Sequence, residues 1–307
     1  MKDFCVCILA HNEQKHICQT IRAIVNAGGE LDYDIVVYAN GCTDGTAEVV
    51  KALVPHIPNL SVRELSLASK PHAWNTAFSE QKNSILVFSD GDVQPEIGAV
   101  KALWRFLSIE RTEAVLAGCT LWPQKEGLTI SQRVCGFLQI PLKQDFLAGG
   151  LYACRRNKLE EELRKKNLTG IPSGIVGEDL FLQLLIPPEK FFVIRNKVFY
   201  EPPALVDYWR YLARVRWQEE QLCVGFGIFF ADRLLDEGGN LYSRIWGKFV
   251  ASESLWRLFL GIISTMCRIV VKTIFRKKIY RHYRVLGTVS REGGEILSRA
   301  TRSQSAK

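Results

Sequence analysis

The first part of the chain alternates short apolar runs with segments whose apolar side chains recur at every third or fourth position. Apolar runs rich in β-branched residues lie at 4–10 and 34–40, and similar runs follow at 60–65 and 84–89. The segment between the first two runs has helical spacing and ends at the pair Gly28–Gly29, which is typical of a helix C-terminus. Strands that alternate with helices across short connections form a parallel sheet wrapped by helices. The pattern therefore predicts an α/β fold with a mostly parallel, Rossmann-like sheet.

The pattern becomes less regular after the fourth apolar run. We predict a helix near 98–107 and a strand near 114–122, and no internal repeat or low-complexity linker divides the chain. The simplest division is one domain to about residue 235, with a nucleotide-binding half at 1–95 and an acceptor or catalytic half at 96–235. A basic, amphipathic helical tail is predicted at 236–307.

Length and cysteine usage narrow the class of protein. The chain has 307 residues and is 47% hydrophobic, which is enough to bury one large core. Its nine cysteines are scattered without a CxxC spacing, so we expect reduced thiols rather than a disulfide framework or a zinc site. The apolar run near the start resembles a first strand more than a signal peptide, and we expect a cytoplasmic protein.

The positive charge is concentrated at the end of the chain. The formal net charge is +8, but residues 241–307 contain 14 Lys and Arg against 3 Asp and Glu. The preceding residues are therefore slightly acidic. This distribution argues against a nucleic-acid groove on the main domain and indicates an acidic partner surface near the C-terminus.

Polar and acidic residues follow three of the predicted strands. Asp90 and Asp92 end the fourth run, His11–Glu13 follow the first, and residues 40–44 follow the second. Because ligands bind outside the carboxyl ends of parallel strands, these loops are expected to converge on one site. Asp90-Gly91-Asp92 taken alone is either an ordinary turn or a pair of hard oxygen ligands for a divalent cation.

Several motifs in order resemble the family 2 glycosyltransferases of the GT-A fold, over roughly residues 4–220. The matching stretches are ILAHNEQKHICQTIRAI, VVYANGCTDGTAEVV, SKPHAWNTAF, VFSDGDVQPE, AGGLYACRR and VGEDLFLQ. The resemblance implies a sugar-nucleotide enzyme that uses Mg²⁺ or Mn²⁺. It implies that Asp92 contacts the metal directly, and that Asp90 contacts the ribose and orients the metal's water shell.

The pair Glu178–Asp179 is predicted to begin a helix. Acidic residues in a first helical turn are favoured by the helix dipole, which is a sufficient structural explanation. The resemblance implies more, namely that Asp179 is the general base that removes the proton of an acceptor hydroxyl. Glu178 is the alternative base, or a helper that binds acceptor. A retained acid pair favours a hydroxyl acceptor, on a glycan or a glycolipid, over a lipid phosphate.

The resemblance also implies a set of contacts to the donor nucleotide. Asn40 stands where many relatives have an aspartate that recognises uracil, and its amide fits several bases, so UDP is the expected rather than the required nucleotide. Arg216 and Trp217 partly match a motif of processive synthases, but Ala213 departs from it and favours a non-processive enzyme. The predicted donor contacts are Ala10, Asn12, Glu13, Asn40, Lys70, Asp90, Gly149, Gly150, Arg216 and Trp217.

A surface-binding helix is predicted within residues 255–284. Its first part resembles a membrane span, but Arg257, Arg268 and Lys272 interrupt it. The longest uncharged stretch, 258–267, is far shorter than the roughly 20 residues that a spanning helix needs. The basic and apolar residues fall on opposite sides of a helix, which favours binding to an anionic membrane surface. The alternative is a helix that packs on the catalytic domain or at a dimer contact.

These observations predict an inverting, metal-dependent, non-processive glycosyltransferase. We expect it to use a nucleotide-sugar donor and to bind peripherally to the cytoplasmic face of a membrane, without a nucleic-acid partner. A nucleotidyltransferase is the first alternative, although it should carry a glycine-rich and basic first loop that this chain lacks. A non-catalytic sugar-nucleotide-binding module is the second, although the expected carboxylates are all present.

Overall fold

A computed structural model describes most of the chain up to residue 222. The described residues are 2, 4–111, 113–124, 126–139, 146–147, 149–208, 210–211, 214, 218 and 221–222. Arg216, Trp217, the predicted boundary near 235 and the tail at 236–307 lie outside the described residues. The chain forms two compact units, of which the first comprises Met1–Trp122, Asp145–Ser173 and Gly177–Tyr200 and the second Pro123–Gln144, Gly174–Val176 and Glu201–Lys307.

One eight-stranded sheet runs through the described part of the chain, in the order β3-β2-β1-β4-β7-β6-β8-β5. The strands are β1 (Phe4–Ala10), β2 (Tyr33–Asn40), β3 (Leu60–Leu65), β4 (Ile85–Asp90), β5 (Val93–Pro95), β6 (Leu116–Pro123), β7 (Leu151–Arg155) and β8 (Phe191–Tyr200).

The described residues also form seven α-helices. They are α1 (Ile17–Gly28), α2 (Thr46–Leu53), α3 (Lys70–Glu80), α4 (Ala99–Arg105), α5 (Ile130–Gln139), α6 (Arg156–Lys165) and α7 (Glu178–Leu185).

The first four strands form the parallel sheet that the sequence pattern predicts. β1 pairs in parallel with β2 and with β4, and β2 pairs in parallel with β3. All seven residues of β1 are buried, because the strand lies between two neighbours and is covered on both faces. A strand that is buried on both faces is apolar throughout rather than alternating. The predicted α/β fold is confirmed, and the carboxyl ends of these strands share one edge.

Three further strand pairs are antiparallel, which makes the sheet mixed. β7 runs antiparallel to β4, with Ser89 opposite Leu151, and β6 runs antiparallel to β7. The short β5 pairs antiparallel with β8. The change occurs in the part of the chain where the sequence pattern becomes irregular, because antiparallel strands do not require a helix between them.

Helix α1 shows how local sequence sets the elements of the nucleotide-binding half. It buries Ile17, Ile21 and Ile24 against the sheet. It ends at Gly29, which has φ of +61° and donates its N–H to the carbonyl of Val25 at 3.2 Å. Only glycine adopts this left-handed conformation at little cost, so the predicted C-terminal glycine signal is confirmed.

Helix α3 packs on the sheet through a column of aromatic rings. Trp74 stacks on Phe78 and on Phe88 of β4, and Phe88 stacks on Tyr152 of β7. The indole N–H of Trp74 donates a hydrogen bond of 2.9 Å to the buried Tyr152 hydroxyl. Ring stacking and a satisfied polar tip both favour this packing, so α3 is fixed to the parallel and the antiparallel strands at once.

None of the helices within the described residues is long and apolar enough to cross a membrane.

Candidate active site

The carboxyl ends of the parallel strands bring several predicted donor contacts to one edge of the sheet. β1 ends at Ala10, β2 at Asn40 and β4 at Asp90, while α3 begins at Lys70 after β3. Glu178, at the start of α7, joins this group through an ion pair with Lys70. The predicted donor side and the predicted catalytic pair are therefore in direct contact.

The two aspartates that follow β4 are held around a glycine that has no room for a side chain. A Cβ on Gly91 would lie 3.0 Å from the Cβ of Ala10. The Gly91 carbonyl accepts a hydrogen bond of 2.9 Å from the Thr20 hydroxyl of α1. The Asp90 side chain is 28% exposed, and Asp92 is exposed at the rim. Close packing of the turn thus fixes two carboxylates one residue apart.

Lys70 is the cation that links the two groups of carboxylates. Its Nζ lies 2.6 Å from Asp90 Oδ1 and 2.5 Å from Glu178 Oε1. The position of Lys70 follows from the start of α3, where the Ser69 hydroxyl accepts a hydrogen bond of 3.3 Å from the His72 amide as an N-cap. Pro71 occupies the first turn and favours a helix start.

Lys70 and Glu178 both have raised pKa values, although a simple ion pair would lower the pKa of the acid. Desolvation lowers the pKa of Lys70, but the charges of Asp90, Glu178 and Asp179 outweigh it and raise that pKa. The pKa of Glu178 is raised to about 7, mainly by desolvation; Lys70 opposes the shift, and the charges of Asp179 and Asp90 add to it. Glu178 is only 3% exposed. One lysine is shared among several carboxylates, so Lys70 stays charged while Glu178 holds its proton more tightly.

The pKa values of Glu13 and Asp92 are raised as well, and neighbouring carboxylates contribute to both shifts. Desolvation, followed by the charge of Asp92, raises the pKa of Glu13, although its hydrogen bond of 3.1 Å with His16 opposes the shift. Partial desolvation, followed by the charge of Asp90, raises the pKa of Asp92. The exposed surface of Asp92 leaves part of its charge screened by water. The raised pKa values indicate an edge at which an added cation would be stabilised.

Asp179 is oriented by two backbone amides. The N–H of Gly149 donates to Asp179 Oδ2 at 3.1 Å, and the N–H of Leu180 donates to Oδ1 at 2.9 Å. Helix α7 begins at Glu178 as the sequence predicts, after Gly177 with φ of +89°. Asp179 is half-buried, and it is therefore more accessible than the neighbouring Glu178.

The glycine pair Gly149–Gly150 has packing reasons for lacking side chains. A Cβ on Gly149 would lie 3.0 Å from Asp179 Oδ2, and one on Gly150 would lie 2.9 Å from Leu121 Cδ1. The Gly150 carbonyl accepts a hydrogen bond of 3.2 Å from the Asp90 amide. These contacts join β4 to the loop before β7. Approach of the donor sugar to this pair stays a prediction.

The predicted nucleoside loops are tied to one another. Asn40 is 3% exposed and donates a hydrogen bond of 2.9 Å to the Ala10 carbonyl. His11 Nδ1 lies 2.7 Å from the Asn40 carbonyl oxygen. Asn12 has φ of +59°, and its Oδ1 accepts a hydrogen bond of 2.8 Å from the Thr43 amide. The role of these residues in nucleotide binding stays a prediction, and their observed contacts order the two loops.

Sequence reasoning missed the contacts that α3 makes with the later part of the first unit. The contact of Lys70 with Glu178 was not predicted, and neither were the bonds of Trp74 to Tyr152 and of Asn75 to Ile171. The only signal in the sequence is a lysine that directly follows the N-cap serine. The partners are remote along the chain, and no local pattern identifies them.

The aspartate pair fits a divalent cation that takes most of its ligands from the substrate. Among the residues that the structure describes, no three His, Cys, Asp or Glu side chains are arranged to hold a metal. Mg²⁺ is commonly held by one or two carboxylates together with substrate phosphates and water. Asp90 and Asp92 would offer two such carboxylates, at an edge where neighbouring carboxylates have raised pKa values.

The raised pKa of Glu178 predicts a pH-dependent stability difference in Glu178→Gln. Between the ordinary pKa of 4.5 and the folded-state value of about 7, the unfolded chain has lost this proton and the folded chain retains it. The stability of the wild type therefore falls as pH rises through this interval. The side chain in Glu178→Gln does not titrate, so it adds no such pH dependence. We expect the melting temperature of Glu178→Gln relative to wild type to rise between about pH 5 and pH 8. A constant difference in thermal denaturation over this range would contradict the shift.

The fold is shared with solved structures of glycosyltransferases. The mannosyltransferase PcManGT from Pyrobaculum calidifontis, in complex with GDP-Man and Mn²⁺, is 17% identical with a TM-score of 0.58, over 94% of this chain and 86% of that one. S. aureus TarS 1–349, in complex with UDP-GlcNAc, is 14% identical with a TM-score of 0.51, over 99% and 92%. This likeness concerns the fold, and it confirms the predicted GT-A fold.

The sequence comparisons give the family. No curated protein sequence matches the chain. The family model described as "Glycosyl transferase family 2" matches residues 5–168, more than half of the 307-residue chain. The predicted family is confirmed, and the chain belongs to glycosyl transferase family 2 and is a glycosyltransferase.

Proposed function

We propose that this glycosyltransferase is an inverting, metal-dependent, non-processive enzyme. It moves one sugar from a nucleotide donor to a hydroxyl group on a glycan or a lipid-linked saccharide. The family resemblance favours UDP as the nucleotide. The observation that carries the proposal is the Lys70 bridge, which joins Asp90 on the donor side to Glu178 beside the expected base. The acid expected on the donor side and the acid next to the expected base are thus both paired with the ammonium group of Lys70.

The donor side of the proposal rests on the sheet edge. PcManGT was solved with GDP-Man and Mn²⁺ and TarS with UDP-GlcNAc, which supports a nucleotide sugar as donor here. Asp92 and Asp90 would hold Mg²⁺ or Mn²⁺, and Lys70 would approach the diphosphate. When bound, the cation neutralises the negative charge that develops on the departing diphosphate.

The acceptor side of the proposal rests on the different accessibilities of the two acids. Asp179 is half-buried with both oxygens oriented by backbone N–H groups, whereas Glu178 is 3% exposed and faces Lys70. These differences support Asp179 as the group that accepts the proton of an acceptor hydroxyl. The hydroxyl oxygen bonds to the anomeric carbon as the bond from that carbon to the diphosphate oxygen breaks, and one displacement inverts the configuration. In this proposal Glu178 holds the ammonium group of Lys70 in place through their ion pair.

Two alternatives are less well supported. A nucleotidyltransferase would need a cluster of basic residues for a triphosphate, but Lys70 and His16 are the basic side chains seen next to the site carboxylates in the described residues. A non-catalytic module would not need an oriented Asp179 beside a buried Glu178.

We also propose that residues 255–284 bind an anionic membrane surface on its cytoplasmic face. This rests on the basic amphipathic sequence. The second compact unit adds exposed apolar side chains, with Ile130 84% exposed and Val206 76% exposed. The Leu205 amide donates a hydrogen bond of 2.7 Å to the Ser131 hydroxyl, so these side chains are near one another.

Nucleotide binding should depend on metal through Asp92. In calorimetric titrations of nucleoside diphosphates, we expect UDP to bind with Mn²⁺ and not without it. Asp92→Ala should weaken binding by about tenfold or more, as loss of a metal-supporting group does. Asp32→Ala is the control, because that carboxylate is exposed and precedes β2 at the opposite edge. If no nucleoside diphosphate bound under any metal condition, the donor site would be wrong.

Removing the base should lower turnover without loss of donor binding. We expect Asp179→Asn to reduce kcat by about 10²- to 10⁴-fold, the usual contribution of a general base. The assay measures UDP released from a panel of UDP-sugars, with water or added oligosaccharides as acceptor. Glu178→Gln should have the smaller effect, because Glu178 is buried. A larger loss in Glu178→Gln than in Asp179→Asn would assign the base to Glu178 instead.

Membrane binding should be electrostatic. We expect the full chain to co-sediment with vesicles that contain an anionic phospholipid, and to do so less at high salt, because salt screens surface charge. Replacing Arg257, Arg268 and Lys272 with glutamine should reduce the bound fraction. Recovery of the wild type only in the supernatant, with anionic and neutral vesicles alike, would rule out the membrane surface.

A further inference from the structure

Three side chains of helix α3 make polar contacts with the later part of the first unit. Lys70 pairs with Glu178, Trp74 donates to Tyr152 of β7, and Asn75 bonds to the backbone before α7. The helix itself follows β3 in the nucleotide-binding half. One rigid element therefore holds the donor side and the segment that leads to the catalytic pair.

The contact of Asn75 is a two-point clamp on a single residue. Asn75 Nδ2 donates to the Ile171 carbonyl at 2.7 Å, and Asn75 Oδ1 accepts from the Ile171 amide at 2.8 Å. The side-chain amide thus pairs with the backbone as a neighbouring strand would. Ile171 is only 2% exposed, so this position is anchored in the core as well.

Asn75 lies so close to residue 170 that this position has no room for a side chain. A Cβ on Gly170 would lie 2.3 Å from Asn75 Oδ1 and 2.9 Å from its Cγ. Gly170 does not have a positive φ, so its backbone conformation does not require glycine. Glycine is required at this position because the Asn75 side chain occupies the space that a Cβ would fill. A larger residue at 170 would push the amide away from Ile171.

The clamp and the Lys70 ion pair hold the two ends of one segment. Lys70 and Asn75 are five positions apart on α3, a rise of about 7.5 Å. They hold Glu178 and Ile171, which are seven positions apart on the other segment. The Lys70 end is charged and its partners include Asp90, whereas the Asn75 end is neutral. The neutral end can hold the segment when charges at the donor site change.

We propose that Asn75 is a positioning residue for sugar transfer. By clamping Ile171 it fixes the segment that enters α7, and so sets Asp179 relative to the donor site on β4 and α3. The inference rests on the proposed function of Asp179 as the base. Asn75 itself does not touch the reacting groups, and its effect is on geometry, where a displacement of about 1 Å can cost about a hundredfold in rate.

The test uses the full-length protein with variants on both sides of the clamp. In Asn75→Ala we expect kcat for UDP release to fall about ten- to a hundredfold, while the affinity for UDP with Mn²⁺ stays within about twofold. Hydrogen exchange at the Ile171 amide should become at least about tenfold faster. Ser79→Ala is the matched control, because Ser79 is exposed on the same helix and bonds only locally to the Thr76 carbonyl.

Gly170→Ala disturbs the same clamp from the other side and should lower kcat in the same way. The added methyl group would clash with Asn75 Oδ1. When Asn75 is already alanine, we therefore expect Gly170→Ala to lower kcat little further. The two substitutions are thus expected to be strongly non-additive in kcat. Independent, additive losses would show that the two residues do not act through one contact.

Two results would overturn the inference. If Asn75→Ala lowered the melting temperature but left kcat within about twofold of wild type well below that temperature, the clamp would be structural only. If Ile171 exchanged at the wild-type rate in Asn75→Ala, the clamp would not hold the segment. Failure of the proposed function is separate, since it would show as a wild type that releases no nucleotide from any nucleotide sugar.

Discussion

The ion pairs of Lys70 are the interaction on which the rest of the site depends. Asp90 comes from the end of a parallel strand and Glu178 from the start of a helix in the later part of the first unit, and both carboxylates face one Nζ. Without a cation between them these carboxylates would repel, and the buried Glu178 would hold its proton more tightly than it does beside Lys70. The lysine therefore permits Asp90, on the proposed donor side, to lie close to the proposed catalytic pair.

The balance of charge at this edge remains negative even with Lys70 in place. Desolvation and neighbouring carboxylates raise the pKa values of Glu13, Asp92 and Glu178 together. A site of this kind is unfavourable for stability alone and is characteristic of functional sites. A cation bound at this edge would relieve the repulsion, which gives a physical reason for the metal dependence that we propose.

Helix α3 gives this arrangement its rigidity. Its aromatic column packs on β4 and β7, the strands at which parallel pairing changes to antiparallel pairing. Its polar side chains then reach Glu178 and Ile171 from a fixed base. The core packing that stabilises the fold and the contacts that reach the start of α7 thus belong to one element. This connection explains how residues from distant parts of the chain come together at the candidate site.

Local patterns were enough to predict the parallel strands, the carboxylate pair at the end of β4 and the start of α7 at Glu178, because apolar periodicity, glycine signals and acidic first turns depend only on neighbouring residues. The family resemblance added the expected roles of Asp92 and Asp179. Three features became visible only in the folded chain: the antiparallel pairing of later strands, the burial of Glu178 against Lys70, and the clamp of Asn75 on Ile171. Asn75 and Ile171 are 96 positions apart. Their contact depends on how α3 packs across two pairs of strands, and no pattern of neighbouring residues encodes that packing.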